Sequence, residues 1–511
     1  MKNSTKYFVL LIAVFFTVSC STEFLDNPPE DKLVLDNFYT SDGQILGSGG
    51  GLYGRPWFYF NEKFVYGLDT YAGNASGGYS DLAQFENFAV TGNNQFVFEG
   101  WQSLFNVIAQ SNTLLYNLEK NVGPAATPLV VERVKGEAYF MRATAYFYLV
   151  RLFGAVPILN KIEQYTQKIP TYRNNVDDVY KFIINDFKEA QKRLPLVTGS
   201  STTEKGRVIK SACDGMLAKV YITLKDYPNA KIHSENVINS GDYSLIDDYG
   251  LLFNSPTNNN SRESIFALQW VGCKGYGYGN SAQAYITPTG TITGDYTGWK
   301  TFLPSIDLRN AYEPNDKRRK ATIMLPGDFY PELVTKSGGY TVGPSGFGGS
   351  MGFRKYVIGS TVEFANNCPQ QTGQNTTMLR FAEIYLIHAE AILGNSTSTT
   401  DTKALTSFNL VRKRAGFTTD KTSITKADIF KERRLELVME GDYWFDLVRR
   451  DRAEAKSIIE NQERGVYSNI STLTISSKKV TTNANSFLLP IPASELDANP
   501  LLRENAVPFQ F

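Results

Sequence analysis

Histidine is scarce in this sequence of 511 residues, and the scarcity limits the chemistry that the protein can support. The two histidines, His233 and His388, are far apart in the chain, and neither has a cysteine at the spacing that zinc sites use. Nucleophilic catalysis that depends on a histidine base has little to draw on for the same reason. We therefore expect no metal site and no cofactor.

Cysteine is nearly as rare, with four residues at Cys20, Cys213, Cys273 and Cys368. Modification of Cys20 would leave three of them. An odd and sparse set argues against a disulfide framework. A chain of this length can bury a hydrophobic core without one.

An excess of charge of either sign is absent too. The chain has 52 Lys and Arg residues against 51 Asp and Glu residues. Proteins that bind nucleic acid carry a basic surface, and this balance does not provide one. We expect no nucleic-acid partner.

Long apolar runs are missing except near the N-terminus. Lys2 and Lys6 precede an apolar run at residues 7–18, and Ser19 and Cys20 follow it. A positive start, a short apolar core and a small residue before a cysteine are typical of a bacterial lipoprotein signal. The pattern predicts that residues 1–19 are a signal peptide and that Cys20 is lipidated, which would hold a soluble body on a membrane. Ordinary secretion with an unmodified cysteine is the alternative.

Signatures of common catalytic sites are also absent. The sequence has no G-x-S-x-G elbow, no G-K dipeptide for a phosphate loop and no H-E-x-x-H zinc motif. Glu432, Glu436 and Glu440 are spaced one helical turn apart, and paired carboxylates can act as acid and base on a glycoside. Four arginines lie close to them in the chain: Arg433, Arg434, Arg449 and Arg450. We therefore interpret the glutamates as salt-bridge residues and the protein as a non-enzyme, with a surface glycoside hydrolase as the alternative.

The strongest pattern that is present predicts a helix at residues 132–157. Apolar residues fill nearly every face of it, and Ala145 lies on the central stripe. Such a helix must be surrounded by other elements, so we expect it at the centre of the fold. Its charged residues, Glu137, Arg142 and Arg151, are expected to be satisfied by ion pairs or caps, because charges inside a core persist only when paired.

Helical periodicity recurs along the rest of the chain. Further predicted helices lie at residues 101–122, 176–193, 379–393, 402–415 and 426–450. Within residues 207–240, small and apolar residues occur at the spacing of the tetratricopeptide repeat, a helix–turn–helix unit of about 34 residues. The sequence therefore predicts a mostly α fold in which tetratricopeptide-like helix pairs form an α/α superhelix.

Two segments lack helical periodicity and are rich in glycine and aromatic residues. Residues 40–99 are expected to be loops that present aromatics, and residues 250–376 to be long irregular insertions that form a ligand face. Sugars stack their apolar C–H faces on exposed aromatic rings, whereas peptide ligands depend more on backbone hydrogen bonds. The candidate ligand-binding residues are Asp69, Tyr71, Trp270, Tyr276, Tyr278, Tyr296 and Trp299.

Several short motifs follow one another in a fixed order over nearly the whole chain. They are Cys20 with Phe24-Leu25-Asp26, Trp101 to Asn112, Phe153-Gly154-Ala155-Val156-Pro157, Gly206-Arg207, Arg380-Phe381-Ala382-Glu383, Glu440-Gly441 with Trp444-Phe445-Asp446-Leu447, and Pro490-Ile491-Pro492. In this order they resemble the SusD/RagB family of outer-membrane nutrient-binding lipoproteins. Each motif is degenerate by itself, but their order makes the resemblance specific.

The resemblance implies a single domain over residues 20–511. Its N-terminal part would cover about residues 20–240, and a loop-rich insertion with the C-terminal part would cover residues 241–511. The resemblance also implies a lipid-anchored protein on the outer-membrane surface of a Gram-negative bacterium. Such a protein binds a nutrient glycan and delivers it to a partner TonB-dependent, SusC-like outer-membrane transporter. The same role for peptides or another nutrient is the alternative.

Overall fold

The computed structural model describes residues 38–78, 80–196, 205–365 and 368–511. The predicted signal peptide and Cys20 lie outside the described residues, so lipidation stays a prediction. Within the described part of the chain, no helix has both the length and the apolar character that crossing a membrane requires.

Most of the described chain is helical. The α-helices are α1 Asp42–Gly50, α2 Val65–Ala72, α3 Ser80–Glu86, α4 Gln95–Lys120, α5 Pro128–Phe153, α6 Glu163–Thr166, α7 Val176–Arg193, α8 Lys210–Thr223, α9 Tyr227–Ser240, α10 Leu251–Asn254, α11 Ala282–Ile286, α12 Gly290–Thr293, α13 Ile306–Ala311, α14 Arg318–Thr322, α15 Phe381–Leu393, α16 Thr402–Arg414, α17 Lys426–Leu437, α18 Asp442–Val448, α19 Arg452–Asn461 and α20 Ala493–Ala498. This confirms the predicted fold class.

The strands are short and pair only in twos. They are β1 Ala75–Gly77, β2 Ser264–Leu268, β3 Phe302–Pro304, β4 Ile323–Met324, β5 Phe329–Tyr330, β6 Tyr340–Thr341, β7 Gly352–Phe353, β8 Thr376–Arg380, β9 Ser398–Thr399, β10 Ile424–Thr425, β11 Val466–Asn469 and β12 Thr474–Ser476. All six pairs are antiparallel: β1 with β3, β2 with β8, β4 with β7, β5 with β6, β9 with β10 and β11 with β12.

The long helices form a continuous stack with α5 inside it. Helix α5 packs against α4 on one side and α7 on the other, and the stack continues through α8, α9, α15 and α16. Ala145 and the apolar residues around it on α5 are buried. Each helix buries one face on the helix before it and another on the helix after it, as in solenoids of helix pairs.

Two of the three charged residues predicted to pair on the central helix do so. Arg207 donates to Glu137 at 2.6 Å, and Arg142 donates to Asp186 at 2.7 Å. The prediction is wrong for Arg151, whose Nη2 has no hydrogen-bond partner among the described residues. Its Nε donates to the carbonyl of Phe147 at 3.0 Å, and its guanidinium lies 3.7 Å from the ring centroids of Phe147 and Phe445. Aromatic faces can take the place of a carboxylate beside a buried guanidinium.

The glycine-rich segment at residues 40–99 is not a set of loops, as expected, but largely helical. Helix α1 contains four glycines, and a π-helical turn at Phe60–Phe64 leads directly into α2. A Cβ on Gly49 would lie 2.9 Å from the side chain of Val134. Glycine therefore allows close packing of α1 on α5 here. The prediction of loops failed because it took the glycines as a sign of irregular backbone.

The helix predicted at residues 426–450 is broken into α17 and α18. Met439 and Gly441 both have a positive φ, at 62° and 79°, which no continuous helix allows. The periodicity of the apolar residues carries no trace of the break. At the break, the backbone N–H groups of Met439 and Gly441 donate hydrogen bonds to the buried carboxylate of Asp69 on α2.

The irregular insertion between α9 and α15 is framed by the β2–β8 pair. It is joined internally by a disulfide between Cys273 and Cys368, which are 95 residues apart. The expectation that the chain has no disulfide framework needs this correction: three cysteines lie in the described part of the chain, two of them form one bridge, and the third, Cys213, is buried and free.

Candidate functional site

Three of the predicted ligand-binding residues belong to the core. Asp69 accepts hydrogen bonds from the backbone N–H groups of Met439 and Gly441. The hydroxyl of Tyr71 donates to the carbonyl of Ser486 at 2.5 Å. All three side chains, including Trp270, are buried. The expectation that Asp69, Tyr71 and Trp270 face a ligand is therefore corrected.

Trp270 also has a fixed partner inside the protein. Its Nε1 donates to Oγ1 of Thr376 at 2.9 Å, on the strand that closes the insertion. A buried indole with a satisfied N–H is a structural residue that ties the start of the insertion to its end.

The other four candidates are solvent-exposed. The fraction of each residue's surface that is exposed to solvent is 62% for Tyr276, 50% for Tyr278, 85% for Tyr296 and 44% for Trp299. Exposed apolar rings that lie close together are a common feature of interaction sites. These four residues remain candidates.

Two separate groups of contacting rings contain Tyr276 and Trp299. Tyr59 packs beside Phe58 with a centroid distance of 5.5 Å, and Phe58 meets the ring of Tyr276 edge-on at 4.7 Å. Farther along, Tyr285 meets Trp299 edge-on at 4.8 Å. We call the exposed residues Tyr59, Tyr276 and Trp299, together with the partly buried Tyr285, the aromatic face.

Glu62 joins the two halves of the aromatic face from beneath. Its carboxylate accepts hydrogen bonds from the hydroxyl of Tyr276 at 3.2 Å and from the hydroxyl of Tyr285 at 3.1 Å. Glu62 itself is only 2% exposed and lies in the π-helical turn. Burial raises the pKa of its carboxyl group, and the neighbouring charge of Lys63, 3.6 Å away, opposes that rise.

The loop that carries Tyr276 and Tyr278 is held against residues 368–375. The Cys273–Cys368 disulfide joins them covalently, and the backbone N–H of Cys273 donates to the carbonyl of Gln371 at 3.0 Å. A Cβ on Gly279 would lie 2.7 Å from the backbone of Gln371, so only glycine allows this close approach. The two exposed tyrosines are therefore presented from an anchored loop.

The backbone next to Trp299 is anchored as well. Its N–H donates to the carbonyl of Ala284 at 2.8 Å, and the N–H of Thr301 donates to the carbonyl of Tyr285 at 2.8 Å. Tyr285 and Trp299 are thus held together by backbone bonds in addition to their ring contact.

Tyr278 and Tyr296 lie beside the aromatic face and have different surroundings. The guanidinium of Arg55 lies 4.7 Å from the ring centroid of Tyr278. Tyr296 lies in the turn between Gly294 and Thr297, three residues before Trp299, and is the most exposed ring of the group. Among the described residues, neither of these two tyrosines makes a direct ring contact with the aromatic face.

An open cleft adjoins Tyr59 at one end of the aromatic face. It has a volume of about 490 Å³, and its wall is formed largely by α4, with the amides of Gln102 and Asn106 beside the apolar side chains of Phe105 and Ile108. Amides next to apolar surface can hydrogen-bond hydroxyl groups while burying C–H groups. The cleft extends the surface that a long ligand could cover.

The glutamates considered for hydrolysis are buried in ion pairs, which confirms their interpretation as salt-bridge residues. Glu436 contacts Arg318, Arg380 and Arg414, and Glu440 accepts from Lys355 at 2.7 Å. Burial alone would raise the pKa of Glu436, but the arginines hold it well below the usual range of a glutamate. A carboxyl group in this state cannot donate a proton near neutral pH.

No group of three or more His, Cys, Asp or Glu side chains within the described residues is arranged to hold a metal ion. The two histidines have structural partners: Nδ1 of His233 lies 2.7 Å from Asp214, and Nδ1 of His388 lies 2.8 Å from Oγ of Ser407.

Three residues of the site were not among the predicted ligand-binding residues: Tyr59, Glu62 and Tyr285. Tyr59 lies in the run Trp57-Phe58-Tyr59-Phe60, where all four residues are aromatic, and only Tyr59 among them is exposed. No periodic pattern separates the exposed ring from the buried ones. A usable signal for Glu62 was present, because a single carboxylate beside an aromatic run must have a partner if it is buried.

Taken together, the arrangement is suited to stacking and hydrogen bonding. It offers rings with fixed positions, adjoining amides and an open shape. Two buried carboxylates lie beneath the aromatic face, and both have structural partners: Glu62 accepts hydrogen bonds from two tyrosines, and Glu99 lies 3.8 Å from the ammonium group of Lys63.

Comparisons with known proteins place the chain in one family. A profile of the SusD family matches residues 262–508, and a second profile, described as starch-binding associating with outer membrane, matches residues 24–222. A SusD-like protein of Bacteroides ovatus is 30% identical, over 99% of this chain and 98% of its own length. The starch-binding protein SusD of Bacteroides thetaiotaomicron is 23% identical, over 76% of this chain and 75% of its own length.

Solved structures agree with the sequence comparisons. A crystal structure with xylogluco-oligosaccharide superposes with a TM-score of 0.83 and 28% identity, covering 91% of this chain and 99% of the other. The fold and the sequence relationships therefore point to the same family. This chain belongs to the SusD family.

Proposed function

We propose that the protein is a cell-surface lipoprotein that binds a nutrient glycan and delivers it to a partner TonB-dependent, SusC-like outer-membrane transporter, without cleaving the glycan. The observation that carries the proposal is the aromatic face: two groups of rings, largely exposed, on anchored backbone and joined through Glu62. Pre-positioned rings lose little freedom when a ligand binds, which favours affinity.

The proposed mechanism is capture by stacking. The C–H faces of sugar rings would lie on the exposed rings of Tyr276 and Trp299, while hydroxyl groups would bond to amides such as Gln102 and Asn106 at the edge. Aromatic residues commonly dominate binding energy at such surfaces. Tyr278 and Tyr296 would contact sugar units beyond the central ones.

Family membership supports a glycan as the ligand class. The relative from Bacteroides thetaiotaomicron is named a starch-binding protein, and one solved neighbour was crystallised with xylogluco-oligosaccharide. Delivery to a transporter, lipidation of Cys20 and a location on the outer-membrane surface follow from the family resemblance and the signal pattern at residues 1–20.

The test is a binding titration of the purified soluble protein against a panel of xylogluco-oligosaccharides, maltooligosaccharides and peptides. We expect an oligosaccharide to bind, and Trp299→Ala to weaken that binding about ten- to a hundredfold, because truncated aromatic anchors cost about 1–3 kcal/mol at interfaces. Tyr172→Ala is the control, since Tyr172 is an aromatic residue about as exposed as Trp299 and lies on a different segment of the chain. Its truncation should leave binding unchanged.

Two results would contradict the proposal. Binding of peptides in place of sugars would assign the aromatic face to another nutrient. Release of reducing ends from a bound glycan would make the protein a hydrolase. Melting temperatures of both variants must match the wild type, so that lost binding reports on the site and not on folding.

A further inference from the structure

We infer that Glu62 is a positioning residue for the ligand site, holding the rings of Tyr276 and Tyr285 in place before the ligand arrives. The inference rests on the proposed glycan-binding function. It adds a residue that contacts no ligand itself and acts through the two rings.

The hydroxyl of Tyr276 lies 3.2 Å and 3.3 Å from the two carboxylate oxygens of Glu62, and the hydroxyl of Tyr285 lies 3.1 Å from Oε1. An ionised carboxylate only accepts hydrogen bonds, so both hydroxyls must donate to it. One buried group therefore orients two rings that come from different parts of the insertion, a turn for Tyr276 and helix α11 for Tyr285.

More than half of Tyr276 is exposed, and its described ring contact is the edge of Phe58. A ring with so little packing would rotate if its hydroxyl were not held. Ordering such a side chain on binding costs free energy, and ordering it beforehand removes that cost from the binding step.

The π-helical turn Phe60–Phe64 directs two successive buried polar residues at the insertion. Nδ2 of Asn61 donates to Oδ1 of Asn280 at 3.1 Å, next to the tyrosine bonds of Glu62. Short π-helical segments occur frequently at functional sites, and this one anchors the insertion at two points.

The first experiment is a binding titration with the oligosaccharide of the panel that the wild type binds, with maltooligosaccharides and xylogluco-oligosaccharides as probes. Glu62→Gln preserves shape and should weaken binding about five- to tenfold. Tyr276→Phe keeps the ring and removes the hydroxyl, so combining it with Glu62→Gln should add less than the sum of the two single effects. Independent, additive effects would mean that Glu62 does not act through Tyr276.

A pH profile separates positioning from a merely structural role. The charged and titratable groups that face Glu62 are Lys63 on its own turn, Glu99 beyond Lys63 on α4, and Tyr276 and Tyr285 on the insertion. Binding by the wild type should weaken as Glu62 protonates in mildly acidic solution, and binding by Glu62→Gln should not change in that range. The pKa of Glu62 is raised by burial, so its protonation relieves a buried charge and does not itself destabilise the fold.

A second measurement needs no ligand. Burial and the charge of Glu62 hold the pKa of Tyr276 above its usual value, which suppresses the phenolate that tetranitromethane nitrates. Glu62→Gln should therefore speed nitration of Tyr276, read by peptide mass spectrometry, with the highly exposed Tyr296 as internal reference.

The outcomes distinguish the inference from the function on which it rests. Unchanged nitration of Tyr276 in Glu62→Gln overturns the inference, and so does faster nitration with unchanged affinity, while the proposed function stands in both cases if Trp299→Ala loses binding. A wild type that binds no member of the panel contradicts the proposed function and the role of Glu62 together.

Discussion

The carboxylate of Asp69 lies 2.9 Å from the backbone N of Gly441, which follows it by 372 residues in the chain. The same carboxylate accepts from the N–H of Met439 at 3.0 Å and from Nδ2 of Asn74 at 2.8 Å. These bonds satisfy the backbone donors exposed where α17 ends and α18 begins. The break between the two helices is thus built around a side chain from the first part of the fold.

Asp69→Ala should destabilise the protein by about 1–3 kcal/mol, because it leaves buried N–H donors without an acceptor. Asp69→Asn should cost less, since its amide oxygen can still accept from one of them. Urea unfolding of both variants measures the difference. Asp247→Ala, at an exposed aspartate, is the control and should be nearly neutral. An Asp69→Ala protein as stable as this control would mean that the helix break does not depend on Asp69.

Glu436→Gln should destabilise the protein by about 3–5 kcal/mol at pH 7, because it leaves buried arginines without a charged partner. The pKa of Glu436 is lower in the folded protein than in the unfolded chain. Its contribution to stability is therefore present above the unfolded pKa of about 4.3 and is lost as the pH falls below that value.

The difference in the free energy of unfolding between the wild type and Glu436→Gln should accordingly become smaller when unfolding is measured at successively lower pH from 7 to 3. Glu119→Gln, at an exposed glutamate, should show almost no gap at any of these values. A gap of constant size from pH 7 to pH 3 would contradict the assignment of a lowered pKa to Glu436.

Ala145→Leu should destabilise the protein by about 1–3 kcal/mol through overpacking, because Ala145 is fully buried on α5 between α4 and α7. Ala453→Leu adds the same side chain to an exposed position on α19 and should change the melting temperature little. Equal melting temperatures for the two variants would show that α5 tolerates added volume.

Reduction of the Cys273–Cys368 disulfide should lower stability by about 2–4 kcal/mol, because the bridge closes a loop of 95 residues in the unfolded chain. Thermal melts with and without dithiothreitol measure this effect. The Cys273→Ser/Cys368→Ser variant is the control, since its melting temperature should not respond to the reductant. A wild type that melts identically in both conditions would argue against the bridge.

Cys20→Ala should move the protein from the membrane pellet to the soluble fraction. Acyl chains contribute about 0.8 kcal/mol for each buried CH₂ group, so their loss removes the anchor. Fractionation of cells expressing the full chain tests this. Membrane association of Cys20→Ala that survives washing would show that Cys20 is not the anchor.

The scaffold was predictable from the sequence because helical periodicity reports burial directly. Helix α7 begins and ends at the predicted residues, and α5 is buried on nearly every face, as its apolar pattern requires. The short motifs also identified the family, because several of them lie on helices of this scaffold and their order along the chain is specific. Even there, the break at Met439 escaped the pattern, because its cause is a carboxylate on another helix.

The candidate site was only half predictable, and the tertiary structure decided the rest. The sequence indicates that aromatics cluster in irregular segments, but such segments have no period that tells which ring points outward. Trp270 is buried against Thr376, and Trp299 is exposed beside Tyr285, although both tryptophans lie in similar glycine-rich surroundings. Glu62 and Tyr276 meet across 214 residues of chain, a contact that depends on how the insertion folds back on the helices. Local sequence determined which elements form, and long-range packing determined which of their side chains remain exposed to a ligand.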